Sequence, residues 1–282
     1  VNASVELTRK HCKNPRAAGM VNGILRSLER NIDRLPTIPQ NDPVNYLSTL
    51  YSHPEWLTRE FLTALGSEET AKLLSANNGA APITAMVNTT KTAAEALTAA
   101  LEGEGVTAQP HPWLANCLIL EKTGSLERLA AFRDGLFYIQ DPASRLAVLA
   151  LDPQPGMRVL DCCAAPGGKS LAAAIEMENR GEVISCDIHP HKIRLLQAGR
   201  DRLGLSIISP CLQSATEQKE EWLGGFDAVI TDVPCSGLGI IRKKPDIRYK
   251  DPAPLAGLPR VQRTILDNAA RYVKPGGVLV YS

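Results

Sequence analysis

The chain has 282 residues, 44% of them hydrophobic, with 31 Lys and Arg against 30 Asp and Glu for a net charge of +1. That length supports one large and one or two small domains with cores of their own. The near-neutral balance excludes a global basic field announcing nucleic acid, no apolar run approaches the ~20 residues that span a bilayer, and nothing resembles a signal peptide.

Residues 1–35 read as helical, with Val21, Leu25 and Leu28 on one face. Residues 1–34 are also basic: Arg9, Lys10, Lys13, Arg16, Arg26, Arg30 and Arg34 stand against Glu6, Glu29 and Asp33. Residues 36–45 are rich in Pro, Asn and Asp, hence a linker. Helices follow from about 43 to 77, with a fresh start at Pro54-Glu55-Trp56-Leu57 and a stop near Gly66. Residues 82–145 alternate strand and helix. Ile83–Val87 is a strand, Ala93, Leu97, Ala100 and Leu101 form a helical stripe ending at Gly103 and Gly105, and 117–120 and 136–139 are further strands. From about 146 onward strands and helices alternate, which argues an α/β class with a parallel sheet covered on both faces. Its crossover helices are marked by Ile193, Leu196 and Leu203, and by Val261, Ile265, Ala269 and Tyr272. These are read as core packing without cofactor contact.

Within this region Asp161-Cys162-Cys163-Ala164-Ala165-Pro166-Gly167-Gly168-Lys169-Ser170 directly follows an apolar strand and opens a helix. A small-residue turn there lets a ligand approach the backbone and the helix N-terminus. Asp187 ends the next strand, about 20–30 residues past the turn, where such sheets hold a ribose diol. Three ligands compete. Gly168-Lys169-Ser170 mimics the end of a phosphate loop, with Asp232 as a metal-holding acid, which would make an ATPase. Against this, Cys163 stands where the first glycine belongs and Pro166 removes an amide. A dinucleotide site requires G-x-G-x-x-G, which is absent. S-adenosylmethionine carries no phosphate and needs a ribose acid and close backbone; it fits best.

Asp232-Val233-Pro234-Cys235-Ser236-Gly237 follows another apolar strand, 226–231. On its own it is a plain strand-end turn. Together with the first loop it sets an acid and a thiol at the C-terminal edge of one parallel sheet, where open α/β sheets bind ligands. Arg242, Lys243, Lys244, Arg248 and Lys250 follow against Asp246, placed where a phosphate backbone would lie. The seven cysteines and the five histidines (His11, His53, His111, His189, His191) show no metal spacing, and free thiols imply a reducing compartment. His189 and His191 are read as surface residues at a helix start.

These residues carry a resemblance. Cys163-Ala164-Ala165-Pro166-Gly167-Gly168-Lys169 with Asp232-x-Pro234-Cys235-Ser236-Gly237 resembles the Sun (Fmu, RsmB) family of RNA cytosine-5 methyltransferases. Gln140-Asp141-x-Ala143-Ser144, Arg202-Leu203-Gly204 and Arg242-Lys243-Lys244-Pro245-Asp246 match further. Tyr51-Ser52-His53-Pro54-Glu55-Trp56-Leu57 is similar to the bacterial branch, and Ala18-Gly19-Met20-Val21-Asn22-Gly23-Ile24-Leu25-Arg26 to the end of its helical, NusB-like RNA-binding domain. The resemblance implies four parts: the end of a NusB-like domain (1–35), a linker with helices (36–81), a small α+β RNA-recognition-like subdomain (82–145) and a Rossmann-like methyltransferase domain (146–282). It implies S-adenosyl-L-methionine as cofactor, held by Cys163, Ala164, Ala165, Pro166, Gly167, Gly168, Lys169, Asp187 and Asp232, and RNA bound through Arg242, Lys243, Lys244 and Arg248.

The implied reaction is methylation of cytosine C5, in 16S ribosomal RNA. A thiolate adds to C6 and makes C5 enamine-like, a carboxyl steadies the pyrimidine edge, and a base then removes the C5 proton before the thiol is eliminated. Asp232 would be the pyrimidine-side acid and Cys235 the release cysteine. The main nucleophile of the family lies in a Thr-Cys pair after a strand that Gly277-Val278-Leu279-Val280-Tyr281-Ser282 matches, so it is expected beyond Ser282. The chain is accordingly expected to be cut at both ends, with a cofactor- and RNA-binding module without turnover as the alternative. The family's acid after the third strand is replaced by Cys211-Leu212-Gln213-Ser214-Ala215, leaving Gln213 or Ser214 as substitutes. A cytoplasmic monomer without metal or membrane partner is expected.

Overall fold

The structure is a computed structural model that describes residues 1–14, 16–34 and 36–282. The helical periodicity of the first 78 residues becomes α1 (Asn2–His11), α2 (Ala17–Arg30), α3 (Pro43–Tyr51) and α4 (Glu55–Asn77). The linker ends earlier than its composition implies. Asp42 caps α3 by accepting the Val44 N–H at 2.9 Å, with Pro43 pre-set in the first turn. Gly66 interrupts α4 and does not end it: at φ 75°, ψ 175° it breaks the helical path between two helical stretches. On α2, Val21 and Leu25 are half-buried while Leu28 is exposed. Val1–Asn78 forms one compact unit and Gly79–Ser282 another.

The second unit begins with β1 (Ile83–Val87), α5 (Ala94–Gly103), β2 (Thr107–Pro110), β3 (Cys117–Glu121), α6 (Ala130–Arg133) and β4 (Phe137–Ile139). The strands pair antiparallel in the order β2-β3-β1-β4, the split β-α-β topology of ferredoxin-like domains. Strand alternation gives this sheet two destinations. Ala85, Val87, Leu118, Leu120 and Phe137 pack under α5 and α6, whereas Met86, Cys117 and Tyr138 face the other way, into the core of the parallel sheet.

That core belongs to α7 (Pro142–Leu151), β5 (Arg158–Asp161), α8 (Gly168–Glu176), β6 (Glu182–Asp187), α9 (Pro190–Leu203), β7 (Ile208–Leu212), β8 (Phe226–Thr231), α10 (Leu258–Tyr272) and β9 (Val273–Tyr281). Asp141 caps α7 on the Ala143 N–H at 2.9 Å, with Pro142 at its first position, so residue 145 falls inside a helix that runs between the two sheets. All neighbouring strands are parallel, in the order β7-β6-β5-β8-β9. Both faces are covered: Val159, Val183, Ala228 and Ile230 pack on one side with α8, and Leu160, Ile184, Cys186 and Val229 on the other with Trp222 and Tyr272. The strand order reverses around β5, which opens a crevice at its C-terminal end.

Arg202, from the Arg202-Leu203-Gly204 match, ties the sheets together. Its guanidinium donates to the carbonyls of Phe132 (2.6 Å) and Phe137 (2.9 Å) and lies 3.8 Å above the Phe132 ring. Asn88 Nδ2 donates to the carbonyls of Gly135 and Leu203. Gly204, at φ 74°, ends α9 in the left-handed turn that brings these groups into register.

Candidate active site

The loop after β5 bends back on itself. Ala164 donates its N–H to the Cys186 carbonyl at 2.7 Å, and Gly167 donates to the Ala164 carbonyl at 2.8 Å. Pro166, which follows a cis peptide bond, has no N–H to offer. Two of the amides that a phosphate cradle would aim at its ligand are therefore spent inside the turn, and a third is missing at Pro166. Gly167 is required by packing: its φ is 116°, and a Cβ there would stand 2.7 Å from Leu196 Cδ1 on α9. Its bare side thus lets helix and loop approach each other, and it faces a helix where a ligand was expected.

Below the turn, Ser185 donates to the Ser170 hydroxyl (2.8 Å), which donates to Asp161 Oδ2 (2.7 Å). This chain links β6, α8 and β5 under the loop. Burial pushes the Asp161 carboxyl up to about 6, against the opposing help of the Ser170 hydroxyl and the Lys169 charge. Burial likewise pushes the Cys163 thiol up to about 12, with Asp161 and Asp187 adding to it, and raises Cys162 well above the ordinary thiol value. Neither loop thiol is a thiolate at neutral pH, so neither is poised to attack.

Two clefts open on either side of this loop. The first, of about 300 Å³, is lined by Cys163, Ala165, Asp187 and Asp232 from the expected set. Asp187 is 8% exposed, and its Oδ1 accepts the His189 N–H at 2.9 Å. His189 and Lys192 line the cleft beside it. Val261 and Ile265 of α10 also line it. That corrects the core-packing assignment of Val261, which is exposed, while Ile265 is buried as expected and backs the cleft; together they form an apolar wall, which a helical stripe in sequence cannot distinguish from a core face. Ser214 lines the cleft too, whereas the Gln213 amide donates to the carbonyls of Ser214 and Glu217 and lies outside it.

The second cleft, of about 210 Å³, is lined by Ala164, Ala165, Pro166, Gly168, Lys169 and Asp232, together with Gln140, Asp141, Ser144 and Asp161. Lys169, 8% exposed, holds Asp232 Oδ2 at 2.6 Å. Asp232 and Ala165 line both clefts. Gly167 and Cys235 line neither, and Cys235 is exposed.

The basic stretch after the second loop differs from the expectation of a phosphate-facing row. Arg248 is buried and donates Nε to the Pro245 carbonyl at 3.0 Å, so its assignment as a surface RNA contact is corrected. Arg242 donates to the Ala80 carbonyl and Lys243 is paired with Asp141; both serve the fold while remaining exposed, as is Lys244. Charge spacing shows a basic run but not which of its members are already engaged.

Comparison with known proteins fits this geometry. The family model for the 16S rRNA methyltransferase RsmB/F matches residues 148–282, and that for the ferredoxin-like domain of RsmF/B-like methyltransferases matches 53–127. Over these residues the chain carries the two domains of the RsmB/F family. It is 40% identical over 268 residues, 94% of its length and 59% of the relative's, to the probable ribosomal RNA small subunit methyltransferase B of Bacillus subtilis. It is 34% identical to ribosomal RNA small subunit methyltransferase B of Vibrio cholerae, over 96% of its own length and 61% of the relative's. The chain thus spans about three-fifths of these RsmB proteins. The crystal structure of PH0851 superposes with a TM-score of 0.83 at 29% identity, covering 98% of this chain and 61% of that one. A methyltransferase homolog protein from Pyrococcus horikoshii shares the fold, with a TM-score of 0.73 at 24% identity, covering 86% of this chain and 77% of that one.

Among the described residues, no helix is long and apolar enough to cross a membrane and no group of three or more His, Cys, Asp or Glu is placed to hold a metal ion.

Proposed function

We propose that the chain binds S-adenosylmethionine in the first cleft and methylates C5 of a cytosine in small-subunit ribosomal RNA, acting as a metal-free monomer in the cytoplasm. The observation that carries this is the pair of clefts sharing Ala165 and Asp232, which gives a donor and an acceptor separate rooms with a common wall. The residues of the first cleft suit the cofactor. Asp187 offers a carboxylate at a strand end for ribose hydroxyls, Val261 and Ile265 suit the adenine, and the loop lacks both the first glycine and, at Pro166, an amide of a phosphate cradle. When bound, the cofactor supplies an electrophilic methyl group on a sulfonium.

The chain's residues handle the base. Asp232, held by Lys169, is placed to hydrogen-bond the pyrimidine edge and stabilise charge developing as a thiolate adds to C6. The Cys162 and Cys163 thiols are too firmly protonated for that addition, which supports assigning it to the Thr-Cys pair of the family. Ser282 donates to the Thr231 carbonyl (2.9 Å) and accepts from Val233 (3.2 Å), so β9 ends against both neighbours of Asp232. In the family the pair follows the strand that β9 matches, and β9 runs toward the acid. Cys235, on the exposed side of the same loop, takes the release role. RNA contact by Arg242, Lys243 and Lys244 remains part of the proposal.

Isothermal titration calorimetry tests the cofactor assignment. S-adenosylmethionine is expected to bind one to one and ATP-magnesium to give no heat; the reverse result overturns the proposal.

A further inference from the structure

Gln140 lines the second cleft and is 6% exposed. It lies between β4 and the Asp141 cap of α7, so regular structure holds its backbone on both sides. The Tyr138 hydroxyl, itself buried, lies 3.3 Å from Gln140 Oε1 and donates to it. That contact turns the NH₂ end of the amide toward α8, where Nε2 stands 3.3 Å from the position a Cβ on Gly168 would take. Nε2 is buried and has no acceptor. Buried donors are almost always paired, and an orphan calls for a reason.

The cleft supplies one. Its lining holds three carboxylates, Asp141, Asp161 and Asp232, against the Lys169 ammonium, with Lys243 pairing Asp141 from outside the cleft, so negative groups still outnumber positive ones. Such a balance repels a phosphate or carboxylate and suits a neutral ring that presents an acceptor and an amino group together. Cytosine does so: its N3 accepts and its exocyclic amine donates, whereas uracil carries a proton on N3.

We infer that Gln140 is a specificity-determining residue whose Nε2 donates to N3 of the target cytosine, beside the Lys169–Asp232 pair. This rests on the proposed function and adds to it a reason for choosing cytosine over uracil. The terminal torsion of a glutamine is broad, so the NH₂ group can turn from Gly168 to an entering ring while Tyr138 keeps the carbonyl end. A uracil at the same place sets two N–H groups against each other and leaves the amide unpaired, the kind of mismatch that buried polar sites reject most strongly.

The test uses the whole chain, ¹⁵N-labelled and saturated with S-adenosylhomocysteine, titrated with cytidine 5′-monophosphate or uridine 5′-monophosphate while the Gln140 side-chain amide is followed by NMR. The cytidine nucleotide is expected to shift that resonance and to bind at least tenfold more tightly than the uridine one. Gln140→Met, which keeps length and removes the donor, should weaken cytidine nucleotide binding about tenfold with cofactor affinity unchanged within twofold. Gln140→Glu, which puts an acceptor there, should weaken it further. Wild-type nucleotide affinity in either variant, a static Gln140 amide at saturation, or no nucleotide binding by the cofactor-loaded protein overturns the inference and leaves the cofactor assignment standing. Failure of the wild-type chain to bind the cofactor at all takes down the proposed function, and the inference with it.

Discussion

Asp187 offers a measurement that separates ligand binding from folding. Its Oδ1 already accepts the His189 N–H at 2.9 Å, while the carboxylate as a whole lines the first cleft. The second oxygen is thus the one available to ribose hydroxyls. Asp187→Asn keeps the shape and can still accept from His189, so it removes mainly the charge on the ribose-facing oxygen. Asp187→Ala removes both contacts. A hydrogen bond to a charged group contributes about 1.5–3 kcal/mol, and each 1.4 kcal/mol is tenfold in affinity. The Asn variant should therefore bind S-adenosylmethionine roughly tenfold more weakly, and the Ala variant up to about a hundredfold more weakly. Only the Ala variant should also lose thermal stability, through the freed start of α9. Calorimetry gives the affinities and circular dichroism melting the stabilities. Asn and Ala variants that stay folded and bind within twofold of wild type would show that the cofactor's ribose lies elsewhere.

Asp161 should leave a mark on stability against pH. Its folded value of about 6 lies above the ordinary 3.8 of an aspartate, so the folded state binds more protons between those values. Stability from this group is then full below about 4 and lost as pH rises through about 6, a difference of order 3 kcal/mol. Asp161→Asn should flatten that fall in urea titrations run from pH 4 to 7; an unchanged slope sinks the assignment. Arg202→Ala strands two carbonyls and an aromatic face, and should destabilise the second unit by about 2–4 kcal/mol in denaturant unfolding. A loss below about 0.5 kcal/mol, the usual scale of surface changes, would mean that the contact is incidental. Cys235→Ser should leave S-adenosylmethionine affinity within twofold of wild type, since Cys235 lines neither cleft; a tenfold loss by calorimetry would move it into the cofactor site.

The sequence reading succeeds where local chemistry decides. Ile83–Val87 and Phe226–Thr231 appear as expected, because an apolar run bounded by turn residues admits one outcome. Asp187 falls at a strand end for the same reason. Shorter elements escaped: β2 carries a proline and little alternation, and α7 hides behind the Gln140-Asp141 motif although Asp141-Pro142 is an ordinary helix start. The harder failures concern what a residue faces. Nothing in the stripe of α10 says that Val261 and Ile265 line a cleft, nor does the Gly167-Gly168 pair say that one glycine serves Leu196. The run 242–248 shows its charge, but its partners Ala80 and Asp141 lie about a hundred or more positions away. Such facts belong to tertiary structure and leave no local trace.

The face of the ferredoxin-like sheet that carries Met86 and Tyr138 has one more consequence. Free-standing RNA-recognition modules read bases by stacking them on the open side of a four-stranded sheet. Here that side shares one apolar core with Val148 and Leu151 of α7 and Leu171 and Ile175 of α8, and each such side chain loses about 1.5–3 kcal/mol if returned to water. Nucleic acid meeting this subdomain must touch its rim, its loops or its helices. The subdomain thus behaves as a buttress of the parallel-sheet half, and that half expressed without it would carry an oily scar and a strong tendency to aggregate.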